Sequence, residues 1–386
     1  MRGVVAVTCL VIPLGLTVLA QSDAPPPIVV VRAIEPPRHS LPPEAKSADV
    51  RRFSFIAYGD TRSPVDGFGL QPDHGMVIDA ILEKAKALSS TTYPVRFVLQ
   101  SGDAVFRGEE GVQWNVSFTP LINKLTKADL PYFFALGNHD VSAGSLGDWR
   151  RAVGLHNTLS AVAKLVPPEG SARRLNGYLA YAFGFGHVFT LAIDSNIAAD
   201  LTQLAWVTGQ LEQLDRTRYK HVIVLFHHPP FSAGPHGGVS PGPSLSDAID
   251  NVEAETAAIR RLYSPLFRKH HVRMTIGGHD HLFDHWVERY EDGGRMFRID
   301  HLVTGGGGAP TYVYRGEPEV AAYLRAGASQ NVRLEHLAKP GGTIEDNPHH
   351  FVVVHVDGDQ LSLEVVGTGP MPFAPYQGKS AISLGD

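Results

Sequence analysis

Phe53-Ser54-Phe55-Ile56-Ala57-Tyr58-Gly59-Asp60 is an apolar, strand-like run that ends on a glycine and a carboxylate. The same order returns four times. Val95–Leu99 leads to Gly102-Asp103, Tyr132–Leu136 to Gly137-Asn138-His139-Asp140, His221–Phe226 to His227-His228-Pro229, and Arg273–Ile276 to Gly278-His279-Asp280-His281. Each segment sets an oxygen or imidazole donor directly behind a predicted strand. A lone Gly-Asp is usually a turn, but four special residues in a row at a strand end are hard to reach by chance. Five such segments in one chain describe a site for two metal ions.

Helical periodicity fills the gaps between these strands. Met76–Leu88 places Val77, Ile81, Ala85 and Leu88 on one face, and Leu121–Leu130 and Leu201–Leu214 are spaced alike. Val188–Ile193 adds a further strand. Beyond residue 286 the signals turn to β, at His301–Thr304, Phe351–Val356 and Leu361–Val366, the last two joined by Asp357-Gly358-Asp359. Alternating strands and helices predict an α/β fold with a largely parallel sheet, and ligands of such sheets gather at the carboxyl ends of the strands. The glycine run Gly305–Gly308 reads as a flexible loop that closes a sheet edge; no P-loop lysine accompanies it.

Composition narrows the class. The chain has 386 residues, 43% of them hydrophobic, and a net charge of −5. That suffices for a sizeable core and offers no basic field for nucleic acid. Residues 1–20 read as a signal peptide: Arg2, an apolar stretch from Val4 to Leu19, and Val18-Leu19-Ala20 before Gln21. The expected localisation is secreted or periplasmic, with no membrane span in the mature chain. Cys9, the sole cysteine, lies in that segment, so a mature metal site would use nitrogen and oxygen donors. Residues 21–50 are proline-rich and read as an extended leader, with Ile28–Val31 as an edge strand. The domain is expected over 51–370, with a C-terminal tail at 371–386. Asn115-Val116-Ser117 matches a glycosylation acceptor.

The donors set the chemistry. Asp60 and Asp103 offer carboxylates, Asn138 a neutral carbonyl oxygen, and His227, His279 and His281 imidazoles. Such a mixed set suits Mn, Fe or Zn better than Ca. Two divalent or trivalent ions in one site stabilise an in-line displacement at phosphorus, and His139 is placed to reach the leaving-group oxygen. Asp140 and Asp280 read as partners that orient imidazoles.

These residues resemble the calcineurin-like metallophosphoesterase superfamily, over roughly Phe53 to Val366. Asp194-Ser195-Asn196, Gln203, Trp206 and His227-His228-Pro229-Pro230-Phe231 are similar to its purple-acid-phosphatase-like secreted branch. The resemblance implies a four-layer αββα sandwich of two mixed sheets. It implies Asp60 on the first metal, Asp103 as bridge, Asn138, His227 and His279 on the second, and His281 back on the first. His139 and His236 would face the substrate, and His228 is a possible swap for His227. The implied activity is hydrolysis of phosphate mono- or diesters by a metal-bound hydroxide at a dinuclear centre. The alternative is a non-catalytic phosphate-ligand binder on the same scaffold. An amidohydrolase is disfavoured, because its His-x-His pair comes early.

One position departs from the pattern. Arg62 stands where many relatives carry a histidine ligand, and Phe106 where purple enzymes carry a tyrosine ligand. Neither can coordinate a metal. Either His74 completes the first site or that site stays open. Arg62 would then grip a substrate phosphate or form a salt bridge to Asp66 or another carboxylate. His349 and His350 read as loop residues, and specificity as a property of loops 61–75, 141–177 and 232–255.

Overall fold

The computed structural model describes residues 29–141, 149–238 and 252–385. The signal-peptide expectation for residues 1–20 lies outside them. Among the described residues, fourteen strands form two mixed sheets. In chain order they are β1 (Arg52–Tyr58), β2 (Val95–Gln100), β3 (Tyr132–Phe134), β4 (Arg174–Leu175), β5 (Ala180–Phe185), β6 (Val188–Ala192) and β7 (His221–Leu225). β8 (Met274–Gly277), β9 (Phe283–Asp292), β10 (Arg295–Thr304), β11 (Arg333–Ala338), β12 (His350–Asp357), β13 (Gln360–Gly367) and β14 (Ala381–Leu384) follow. The first sheet runs β14-β13-β12-β1-β2-β3 and the second β11-β9-β10-β8-β7-β6-β5-β4. β1-β2-β3 and β6-β7-β8-β10 are the parallel cores; antiparallel strands extend both sheets.

The sheets meet through aromatic rings. Phe183 stacks on Phe133 with centroids 3.9 Å apart and meets Phe97 edge-on at 5.4 Å, while Phe53 meets Phe185 at 4.9 Å. β7 shows why its strand reads as continuously apolar. Ile223 and Leu225 enter the core between the sheets, whereas Val222 and Val224 enter a second core under the helices Leu201–Glu212 and Ser264–Lys269. Each side chain of this size stabilises by about 2 kcal/mol when fully buried. Helices Pro72–Leu88 and Thr119–Lys127 cover the first sheet and complete the four layers. None of the helices described is long and apolar enough to cross a membrane.

Three segments differ from their sequence reading. Val29–Val31 joins no sheet. Asn115 instead clamps the leader, accepting from the Arg32 amide and donating to the Val30 carbonyl, and Ile34 is fully buried. The Asn115 amide is therefore engaged in holding the chain together. Past residue 370, Ala381–Leu384 pairs with β13, so the tail supplies an edge strand. The glycine run is buried and bonded: the Gly307 amide donates to the Gly59 carbonyl at 2.7 Å, and the Ala309 amide to that of Asp60 at 2.8 Å. It ties the end of β10 to the end of β1, and thereby one sheet to the other at the edge where the donors lie.

Candidate metal centre

All five segments open onto that common edge, after β1, β2, β3, β7 and β8. The backbone there is forced. Asp60, Asp103 and His279 sit in the left-handed region with φ of 60°, 56° and 71°, a conformation that costs a residue with a Cβ about 1–2 kcal/mol. The sequence reading puts such turns on the preceding glycines; at Asp60 and His279 the donor residue itself carries the strain. Those glycines serve close approach instead. A Cβ on Gly137 would lie 2.2 Å from Asp103 Oδ1, and one on Gly278 the same distance from Asp60 Oδ2.

The second half of the site brings together Asn138, His227, His279 and Asp103. His227 Nδ1 donates to the Ser101 carbonyl at 2.9 Å, which leaves the Nε2 lone pair facing inward. His279 Nε2 donates to Glu253 Oε2 at 2.6 Å, which leaves its Nδ1 lone pair facing inward too. These two bare nitrogens lie 3.2 Å apart, Asn138 Oδ1 is 2.9 Å from His227 Nε2, and Asp103 Oδ1 is 3.5 Å from it. Acceptor faces acceptor throughout, an arrangement that only a cation or added protons relieve. His228 is turned the other way: Ser195 Oγ binds its Nδ1 at 2.8 Å and accepts the His227 and His228 amides. His228 still shares a candidate ligand group with His227 and His279. Gln203 in turn holds the Asp194 backbone from both sides.

Sequence reasoning misses Glu253. It binds His279 and also His236 Nδ1 at 2.8 Å, placing His236 beside the His279 ring at 4.0 Å. No motif marks it; it lies just ahead of the helix Ala254–Ala258, far in sequence from the strand ends.

The first half brings together Asp60, Asp103 and His281. His281 Nδ1 donates to the Pro310 carbonyl at 2.7 Å, so Nε2 faces inward, 3.6 Å from Asp60 Oδ1. Here two of the three acceptors face Arg62. Its Nε donates to Asp103 Oδ2 at 3.2 Å and its Nη2 to His281 Nε2 at 3.3 Å. The ion pair is with Asp103, and Asp66 is occupied otherwise, by the Ser63 and Phe106 amides and Gln71 Nε2. His74 does not complete this half. It is fully buried, with Nδ1 on Gln71 Oε1 and Nε2 on the Tyr58 hydroxyl, and burial drives its pKa down to about 3. It is a core histidine, because its helix begins at Pro72 and turns the ring toward Phe118. His349 and His350 stay outside the site; His350 packs on Phe283 and Phe373.

A model of the family described as calcineurin-like phosphoesterase matches residues 54–283, more than half of the chain. The chain belongs to the calcineurin-like phosphoesterase family. Among curated relatives, purple acid phosphatase 1 of Ipomoea batatas is 23% identical over 155 residues, which cover 40% of this chain and 28% of that protein. Among solved structures, the purple acid phosphatase PPD1 from yellow lupin (Lupinus luteus) seeds gives a TM-score of 0.59 at 16% identity, covering 89% of this chain and 55% of that one. PhoD gives 0.50 at 11% identity over 89% and 73%. Both share the fold. The chain thus spans little more than half of the lupin protein and a smaller part of the Ipomoea batatas one.

The electrostatics of the calcineurin-like site separate its two carboxylates. Burial and the Asp103 charge push Asp60 well above the usual range. Burial opposes the charge of Asp103 as well, but His227, His139 and Arg62 outweigh it and hold that carboxyl low. Burial lowers His227 to about 4, and burial with the Arg62 charge lowers His281 to about 3, so both imidazoles stay neutral at neutral pH. His236 goes up despite burial, because Glu253 supports its cation. Asp140 is no imidazole partner: its carboxylate collects the amides of Asp103, Ala104 and Gly137 and fixes the β2 and β3 ends together. Asp280 accepts the His236 amide. By donor chemistry, the second half fits Mn, Fe or Zn.

Proposed function

We propose that this chain is a metal-dependent hydrolase of small phosphate mono- or diesters, acting at the edge where the two sheets meet. The observation that carries the reading is the set of inward lone pairs on His227, His279, Asn138 and Asp103. When bound there, a metal ion supplies Lewis-acid charge to a phosphoryl oxygen and acidifies a water. The residues do the rest. Asp103 faces the second position through Oδ1 and the first through Oδ2, so one carboxylate serves both. Asp60 and His281 border the first position. The His139 amide donates to Asp103 Oδ1 at 3.0 Å, and its Nδ1 donates to the Phe106 carbonyl at 2.8 Å. Its half-buried ring leaves Nε2 as the group that meets the leaving-group oxygen. His236, held by Glu253 beside the His279 ring, orients the ester. We assign residues 29–385 to one catalytic unit, the leader and edge strand included. Export also belongs to this proposal, on the strength of residues 1–20.

Purified protein should cleave nitrophenyl phosphate or its bis-ester, lose that activity to a chelator and regain it with Mn or Zn. Asp103→Ala should remove it. No turnover over a panel of mono- and diesters, at any metal loading, would leave the phosphate-ligand binder as the better account.

A further inference from the structure

Arg62 and Phe106 fill the two positions where the family resemblance predicts ligands of the first metal, and the two side chains touch. The guanidinium carbon lies 5.6 Å from the centre of the Phe106 ring, within cation–π range. Tyr312 closes another side: its ring stacks on His281 at 4.1 Å and 13°. The Arg62 amide is itself anchored, donating to the Asp103 carbonyl at 3.1 Å. The side chain is only 15% exposed. An arginine held by a carboxylate, an imidazole and a phenyl ring is not a surface group resting on a nearby charge.

The polarity of these contacts is informative. In the second half the lone pairs face one another. In the first half, His281 Nε2 and Asp103 Oδ2 each receive an N–H from Arg62, so two of the three groups that would face a metal are already satisfied by a cation, while Asp60 accepts the His279 amide. We propose, within the phosphoesterase reading above, that Arg62 is the resident cation of the first position. The centre then consists of one metal ion, held by Asn138, His227, His279 and Asp103, beside a fixed guanidinium. Phe106 belongs to the same device, since a flat apolar ring packs on the guanidinium where a ligating side chain would compete with it. The guanidinium stays charged at every working pH, so this half of the site keeps its charge where a weakly bound metal would dissociate. The dinuclear expectation narrows accordingly to one metal ion and one guanidinium.

Elemental analysis of the full chain, saturated with Zn or Mn and then desalted, tests this without reference to turnover. Wild-type protein should retain about one equivalent, and Arg62→His, which restores an imidazole donor, about two. His281→Ala should keep the wild-type equivalent, and His279→Ala should lose it. Two tightly held equivalents in the wild type would overturn the inference and leave the phosphoesterase reading standing. No retained metal in the wild type would overturn both. The wild-type count and the His281/His279 pair carry the test even if Arg62→His does not fold.

Discussion

The two halves of the centre are built from the same kinds of residue and solve opposite problems. The second half gathers imidazole and amide acceptors against one another, with His227 and His279 bare on their inward faces at 3.2 Å. In the first half, Asp103 and His281 accept from the N–H groups of Arg62. One half is organised for a cation from solution, the other around a cation from the chain. The difference comes from which atom of each ring is held behind it. Carbonyls or a carboxylate take the outer nitrogens of His227, His279 and His281 alike, so the three rings are equally prepared, and Arg62 alone makes the halves unequal.

The largest effect that would expose this inequality is His279→Ala against His281→Ala. The first should cost roughly a thousandfold or more in kcat/KM, since it removes a donor of the metal. The second removes one acceptor of Arg62 and should cost about tenfold. Equal losses would break the comparison. Next is Glu253→Gln, which keeps the shape but weakens the grip on the His279 and His236 rings. Metal affinity should fall about 10- to 100-fold, as expected for a group that orients a ligand. A competition titration that returns the wild-type value would remove Glu253 from the second half's account.

A smaller effect concerns the loop that carries Arg62. Burial raises the Asp66 carboxyl to about 6, and its Oδ2 takes all three donors while Oδ1 is buried without a partner. Its folded pKa lies above its unfolded one. The favourable contribution of its neutral form is thus full below about pH 4 and lost as pH rises through about 6. Asp66→Asn should flatten the fall of Tm over that window, with a gain on the order of 2 kcal/mol at pH 7. An unchanged Tm–pH slope would show that the loop tolerates an ionised Asp66.

Much of the fold and of the centre is legible in the sequence. Ligands at strand ends leave a signature there because two constraints fall on adjacent residues: an apolar run that must be buried, then a donor that must leave it. That is why the sequence reading places β1, β2, β7 and β8 and their donors within a residue or two. Glu253 has no such neighbour; it reaches the site from a helix start. The partner of Arg62 is also hidden, since Asp66 is nearer in sequence, yet three donors from elsewhere claim it. His74 shows the converse. A histidine at a helix start reads as a candidate ligand, and only the packing of Tyr58, Gln71 and Phe118 around it makes it a core residue. The edge strand β14 escapes a sequence reading because four residues behind a proline-rich stretch carry little periodicity.

Catalysis on one metal ion beside a built-in guanidinium can be tested on the enzyme's own metal dependence. The direct test is to strip the protein with a chelator, then titrate Mn or Zn back while following nitrophenyl phosphate hydrolysis. Activity should rise linearly and level off at about one equivalent. A rise that continues to two equivalents, or activity that ignores metal altogether, would contradict it.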